Sequence, residues 1–198
     1  MKKKSGTIGA VILCAAMLFS FAAYADNINI DKNIAAVDAY KTKVIRNIGQ
    51  GKKVYFAGPM FNHAEKEFNL RITKVLEEYG YKVFLPQRDG IEAALLKDKS
   101  EEELTRMIFA LDETQVRKAD IVFMNIDGRV PDEGASVELG IAYGIGKRCY
   151  GFKTDTHSVE YGLEMNPMIS GCMIKIFKNY DGDKLVEEIK QYLSKNAL

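Results

Sequence analysis

Histidine and cysteine are scarce in this chain of 198 residues, which has 2 of the first and 3 of the second. His63 and His157 form no HxH or HxxxH pair, and the cysteine spacing fits no ligand motif, so no metal site is expected. An excess of one charge is also missing. The formal net charge is +1, which leaves no broad basic field for nucleic acid. No internal repeat and no low-complexity tract is evident. Glycines number 16, yet no GxGxxG follows the first expected strand, which disfavours a dinucleotide fold. The stretch from Gly140 to Arg148 resembles a P-loop only superficially. Its spacing is wrong, and Arg148 stands where a Ser or Thr would hold magnesium. Its glycines read instead as close helix–sheet packing and a helix C-cap.

What is present begins with an apolar run. Ile8 to Phe21 follows Lys2, Lys3 and Lys4 and precedes Ala23-Tyr24-Ala25, a small-x-small site. This is the pattern of a secretory signal peptide over residues 1–25. An uncleaved membrane anchor is the alternative, but the run is short for a span. Cys14 follows the bulky Leu13, which argues against a lipoprotein site. The expectation is an exported, periplasmic protein with no membrane association once the signal is removed. Cys149 and Cys172 would remain. They read as small buried hydrophobes in preference to a disulfide. Residues 26–51 are expected to be a polar leader and an extra helix, Asn33 to Ile48, broken at Gly49-Gln50-Gly51.

From residue 52 to residue 198 the pattern is that of one domain, and 47% hydrophobic residues supply its core. Apolar runs predict strands at Val54–Ala57, Lys82–Leu85, Ile121–Met124, Arg148–Phe152 and Met173–Phe177. Helical periodicity predicts helices at Ala64–Tyr79, 100–118, Ser136–Ile145 and Asp183–Leu193. Alternating strands and helices imply an α/β fold: an open three-layer sandwich with a five-stranded parallel sheet and flavodoxin-like topology. Ligands of such sheets sit beyond the carboxyl ends of the strands, near the switch in strand order. Four loops therefore matter: Gly58 to Phe61, Pro86 to Gly90, Asn125 to Gly134, and Lys153 to Pro167.

These loops are polar and acidic. Gly58 lets a ligand approach the backbone, and Met60 and Phe61 suit a flat ring. Gln87 offers a donor and an acceptor, which suits the edge of a base. Glu138 adjoins an expected apolar stripe, Val137, Ile141 and Ile145, in the first turns of its helix. A carboxylate there is half-buried near the positive helix end, and an ionised, poorly hydrated carboxylate is a good nucleophile. A solvated surface glutamate is the plainer reading of the same position. Asp112 follows an apolar patch, Met107, Ile108 and Leu111. Asp132 follows Pro131 where an N-cap would stand.

Together the pieces Tyr55-Phe56-Ala57-Gly58-Pro59-Met60-Phe61, Leu85-Pro86-Gln87, Asp112, Asp127-Gly128, Pro131-Asp132-Glu133-Gly134, Val137-Glu138-Leu139-Gly140 and Asn166-Pro167-Met168 resemble the nucleoside 2-deoxyribosyltransferase family, in order and in spacing. The resemblance implies transfer of 2-deoxyribose between nucleobases by a retaining double displacement. By position it implies that Glu138 is the nucleophile, Asp112 the acid near the leaving base, and Asp132 a sugar-hydroxyl contact. Tyr55 would orient the nucleophile, and Gln87 would contact the base. Asn166 would be lent to the sugar by a neighbouring subunit, so a homo-oligomer is expected, and Met168 is a further substrate-binding candidate. The partners would be a small-molecule nucleoside and a free nucleobase, with no cofactor. An N-glycoside hydrolase of nucleosides or deoxynucleotides, and a non-catalytic periplasmic nucleoside-binding module, are the alternatives.

Overall fold

The first strand, β1 (Lys53–Ala57), is buried from its second residue onward, so both of its faces must be covered. That is the condition of a strand inside a parallel sheet, where each crossover lays a helix on one face. A computed structural model of the chain describes residues 48–92, 96–159 and 162–198. The expectations for the export signal, the leader and the helix over 33–48 lie outside these residues, except at Ile48, which is in a turn.

In chain order the described elements are β1, α1 (His63–Glu78), β2 (Lys82–Phe84), α2 (Pro86–Asp89), α3 (Glu101–Lys118), β3 (Ile121–Asn125), α4 (Glu133–Gly144), β4 (Arg148–Lys153), α5 (Pro167–Ser170), β5 (Lys175–Lys178) and α6 (Gly182–Leu193). The five strands pair in parallel in the order β2-β1-β3-β4-β5. This is the open, three-layer, flavodoxin-like sheet, and its switch point lies between β1 and β3.

Strand alternation sorts the core into two layers. Val54, Phe56, Ile121, Phe123, Tyr150 and Phe152 face α1 and α6, which contribute Ile72, Val75, Leu76, Leu185, Val186, Ile189 and Leu193. Tyr55, Ala57, Val122, Met124 and Cys149 face α3 and α4, which contribute Val116, Ala135, Leu139 and Ala142. Each fully buried Leu or Ile on α6 contributes roughly 1.5–3 kcal/mol. Capping boxes at Asn62/Glu65 and Ser100/Glu103 start α1 and α3.

Some expectations need correction. Helix α4 begins at Glu133, three residues before Ser136, because the Asp132 side chain caps the Ala135 amide. Strand β5 begins at Lys175, after Met173. Two one-turn helices, α2 and α5, start at prolines that read only as loop residues. The stripe of Val137, Ile141 and Ile145 does not face the sheet. Val137 is 58% exposed, whereas Ala135, Leu139 and Ala142 are the inward set. A methyl group added to Gly140 or Gly144 would meet nothing, so these glycines do not mark close helix–sheet contact. Gly146, at φ 75°, does follow the helix end as a left-handed terminator.

Candidate active site

The loops after β1, β2 and β3 close around a cavity of about 560 Å³. Its wall includes Gly58, Pro59, Met60 and Phe61 from the first loop, Pro86 from the second, and Asp127, Gly128, Val130 and Asp132 from the third. Helix α3 supplies Asp112, and α4 supplies Glu133, Gly134 and Glu138. Among the described residues six carboxylates line this space (Glu65, Asp112, Asp127, Asp132, Glu133 and Glu138), and no lysine, arginine or histidine does.

Glu138 lies on the second turn of α4, beside the inward residue Leu139, and that places its carboxylate half-buried at the cavity floor. From the sheet, Tyr55 reaches it: the phenol donates a 2.6 Å hydrogen bond to Glu138 Oε1. Tyr55 is fully buried and its ring stacks on Phe84 at 5.7 Å, so the hydroxyl is held in place. Burial raises the Glu138 pKa to about 7; the Tyr55 hydrogen bond opposes it, and the charges of Asp112 and Asp132 add to it. Asp112 is also raised, by burial. Tyr55 is pushed far above the usual phenol range, first by burial and then by the Glu138 charge, so it stays a donor. The cavity thus brings a carboxyl held by a fixed donor and a second carboxyl raised by burial to one place.

Asp132 has two jobs in the structure. One carboxylate oxygen accepts from the Ala135 amide at 2.8 Å and starts α4, while the side chain also borders the cavity. Gly58 is a glycine for a reason other than ligand approach alone. A Cβ there would lie 2.7 Å from the Asn125 Cβ, so the backbone packs against β3. Met60 and Phe61 overhang the cavity, and Phe61 is 76% exposed. They also border an adjoining lobe of about 380 Å³, whose wall includes Gln87 and Pro86. Asn166 and Met168 are not brought to the carboxylates of their own chain. Asn166 caps α5, accepting from the Met168 amide at 2.9 Å, and Met168 is 80% exposed.

Sequence reading set Asp127-Gly128 among the motifs without giving either a role, and it did not single out Lys153, Thr154 or Asp155. Asp127 accepts from the Thr154 and Asp155 amides at 2.5 and 3.1 Å, and from the Thr154 hydroxyl. In return Asp155 accepts from the Gly128 amide at 2.5 Å and pairs with the buried Lys153. Burial alone would raise Asp155, but the Gly128 amide, Lys153 and His157 outweigh it and hold its carboxyl at about 2. This exchange of carboxylates clasps the loops after β3 and β4 together. A second apolar groove of about 570 Å³ runs between α3 and α4. Ile108, Phe109, Val137 and Ile141 line it, and it shares Asp112 and Glu138 with the cavity. Among the described residues no group of three or more His, Cys, Asp or Glu is arranged to hold a metal, and no helix is long and apolar enough to cross a membrane.

A family model described as nucleoside 2-deoxyribosyltransferase matches residues 54–193. No curated protein matches the chain. Among solved structures, a 2-deoxyribosyltransferase from Bacillus psychrosaccharolyticus is 29% identical with a TM-score of 0.54, over 68% of this chain and 90% of that one. A conserved protein from Enterococcus faecalis V583 is 25% identical with a TM-score of 0.54, over 71% of this chain and 98% of that one. A 2-desoxiribosyltransferase from Leishmania mexicana, 19% identical with a TM-score of 0.50 over 71% of this chain and 98% of that one, shares the fold.

Proposed function

Because the chain belongs to the nucleoside 2-deoxyribosyltransferase family, we propose that it moves 2-deoxyribose from one nucleobase to another through a glycosyl intermediate on Glu138. The observation that carries this is the Tyr55–Glu138 hydrogen bond inside a cavity that also holds Asp112 and Asp132.

In the first step a Glu138 carboxylate oxygen bonds to C1′ as the C1′–N bond breaks. The electron pair leaves with the base, and the proton of Asp112 goes to the base nitrogen. In the second step a nitrogen of the incoming base bonds to C1′, the C1′–O bond to Glu138 breaks, and that base's proton returns to Asp112. Both passages develop positive charge on the sugar, which the surrounding carboxylates stabilise. Tyr55 holds Glu138 in position and steadies its charge. Asp132 accepts from a sugar hydroxyl with the oxygen left free by its capping bond. Phe61 and Met60 offer apolar surface to the base.

The substrate in this reading is an unphosphorylated deoxynucleoside. A nucleotide would bring a phosphate dianion against six carboxylates with no cation on the wall among the described residues, an arrangement that costs affinity. The role implied for Asn166 needs a second copy of the chain, so the proposal includes a homo-oligomer. It also includes export, with cleavage after Ala25; the mature protein would then begin at Asp26, which intact mass would show.

The decisive assay incubates the protein with deoxyinosine and adenine. Deoxyadenosine and hypoxanthine should form, and mass spectrometry should find a deoxyribosyl adduct on the peptide carrying Glu138. Glu138→Ala should fold with its circular dichroism unchanged and lose transfer by at least about 10³-fold. Free deoxyribose released without any acceptor base would mark a hydrolase instead. Binding without turnover would mark a nucleoside-binding module.

A further inference from the structure

A chain of side-chain amides, Asn125, Asn69 and Gln87, links β3, α1 and α2, and three backbone groups dictate its polarity. Asn69, on α1, is 2% exposed, and so is Asn125, at the end of β3. The Asp127 N–H can only donate, so the atom it meets at 2.9 Å is Asn125 Oδ1. That turns Asn125 Nδ2 toward Asn69, whose Oδ1 accepts at 3.0 Å. The Pro59 carbonyl can only accept, so Asn69 Nδ2 faces it at 2.8 Å, in agreement with the first constraint. The second hydrogen of Asn69 Nδ2 is then given to Gln87 Oε1 at 3.2 Å. At the far end the Lys66 carbonyl can only accept, and it receives Gln87 Nε2 at 2.8 Å.

Both ends of the Gln87 amide are therefore set by groups that cannot reverse. What remains to it is one N–H on Nε2 and one lone pair on Oε1, in fixed order, and Gln87 borders the lobe with Met60 and Phe61. Amino bases and oxo bases present opposite orders of donor and acceptor along the pairing edge. Adenine has an acceptor ring nitrogen beside a donor amino group; hypoxanthine has a donor N–H beside an acceptor oxygen. The glycosidic nitrogen must face the carboxylate cavity, so one order fits the amide and the other leaves a donor against a donor.

We infer that Asn69 is a positioning residue that locks the orientation of the Gln87 amide, and that through this lock the protein discriminates 6-amino from 6-oxo bases. The inference rests on the reading of the Gln87 lobe as the base site. The lock itself does not depend on turnover. A mobile amide would bind both classes about equally, and a locked one favours one class while still admitting the other more weakly.

Two measurements test it. In ¹⁵N,¹³C-labelled wild-type protein without ligand, the Gln87 side-chain amide should exchange slowly and show a coupling across the hydrogen bond from Nε2 to the Lys66 carbonyl carbon. An amide that exchanges freely, with no such coupling, would overturn the lock. Calorimetric binding of adenine and hypoxanthine should then differ by at least about tenfold in wild type. Asn69→Asp offers Gln87 only acceptor oxygens and draws Nε2 toward position 69, so the adenine-to-hypoxanthine ratio should shrink at least about fivefold or reverse. In a Gln87→Ala background, Asn69→Asp should leave that ratio unchanged. A folded Asn69→Asp protein with the wild-type ratio, or one whose ratio shifts equally without Gln87, would overturn the specificity claim. If neither base binds wild type, the reading of the base site fails, and the specificity claim with it; the amide measurement then still decides the lock.

Discussion

In the proposed reaction Glu138 is the residue on which the chemistry turns, and its protonation would set the working pH range. Its carboxyl titrates at about 7, whereas a free glutamate titrates near 4.5. A nucleophile must be ionised, so kcat should rise with pH through about 7. Tyr55 opposes the upward shift through its hydrogen bond. Tyr55→Phe removes that bond, so the acid limb of the kcat–pH profile should move to higher pH and kcat at neutral pH should fall roughly 10–100-fold. A limb that stays in place or moves to lower pH would count against the role given to Tyr55. Stability runs the other way. A carboxyl whose folded-state pKa is raised adds stability at low pH and loses it as pH climbs from about 4.5 past about 7. At pH 8 the ionised Glu138 is a net cost of order 2–4 kcal/mol relative to a neutral side chain. Glu138→Gln keeps the acceptor for Tyr55 and removes the charge. It should be inactive, yet melt several degrees above wild type at pH 8 and much closer to it at pH 4.

The loops at the carboxyl edge, more than the strands, determine the site, and they were the harder part to read. The strands were plain because Val54–Ala57 and Ile121–Met124 are covered on both faces and must be apolar throughout. Helix α4 was harder because it is apolar nearly all round. Val137, Ile141 and Ile145 keep helical spacing as well as Ala135, Leu139 and Ala142 do, and only the packed sheet distinguishes the face turned toward it. Glu138, Asp112, Asp132 and Tyr55 were visible as members of ordered motifs. The amides of Asn69 and Asn125 were not, since their meaning lies in partners 56 positions apart. Gly58 shows the difference in a single residue. It reads as room for a ligand, but the structure also uses it to bring the first loop onto Asn125. Gly58→Ala should push that loop away from β3, cost roughly 1–3 kcal/mol, and raise KM more than it lowers kcat. Denaturant melts and steady-state kinetics would check both; an alanine variant with wild-type stability and KM would mean that the loop accommodates the added methyl group.

At the scale of the whole molecule, one chain carries the acids and the tyrosine, but its Asn166 and Met168 do not line the cavity that holds them. The groove between α3 and α4 leaves Phe109 and Val137 exposed beside Asp112 and Glu138, so apolar surface continues outward from the site. Apolar surface beside a catalytic cavity suits a subunit contact, and closed symmetry would place each chain's α5 loop at its neighbour's cavity. A complementation experiment tests this reading directly. Glu138→Ala lacks the nucleophile but has a sound Asn166, and Asn166→Ala has the reverse. Each should be inactive or nearly so by itself. If sites are shared, mixed oligomers contain some sites with both residues intact. For randomly mixed dimers roughly a quarter of wild-type activity should return. The two variants would be unfolded together in denaturant, refolded, and assayed by base exchange against each variant refolded alone. If the mixture stays at the sum of its parts while sizing shows oligomers have formed, Asn166 serves its own chain or no chain. A protein that runs as a monomer and is fully active would remove the shared site altogether.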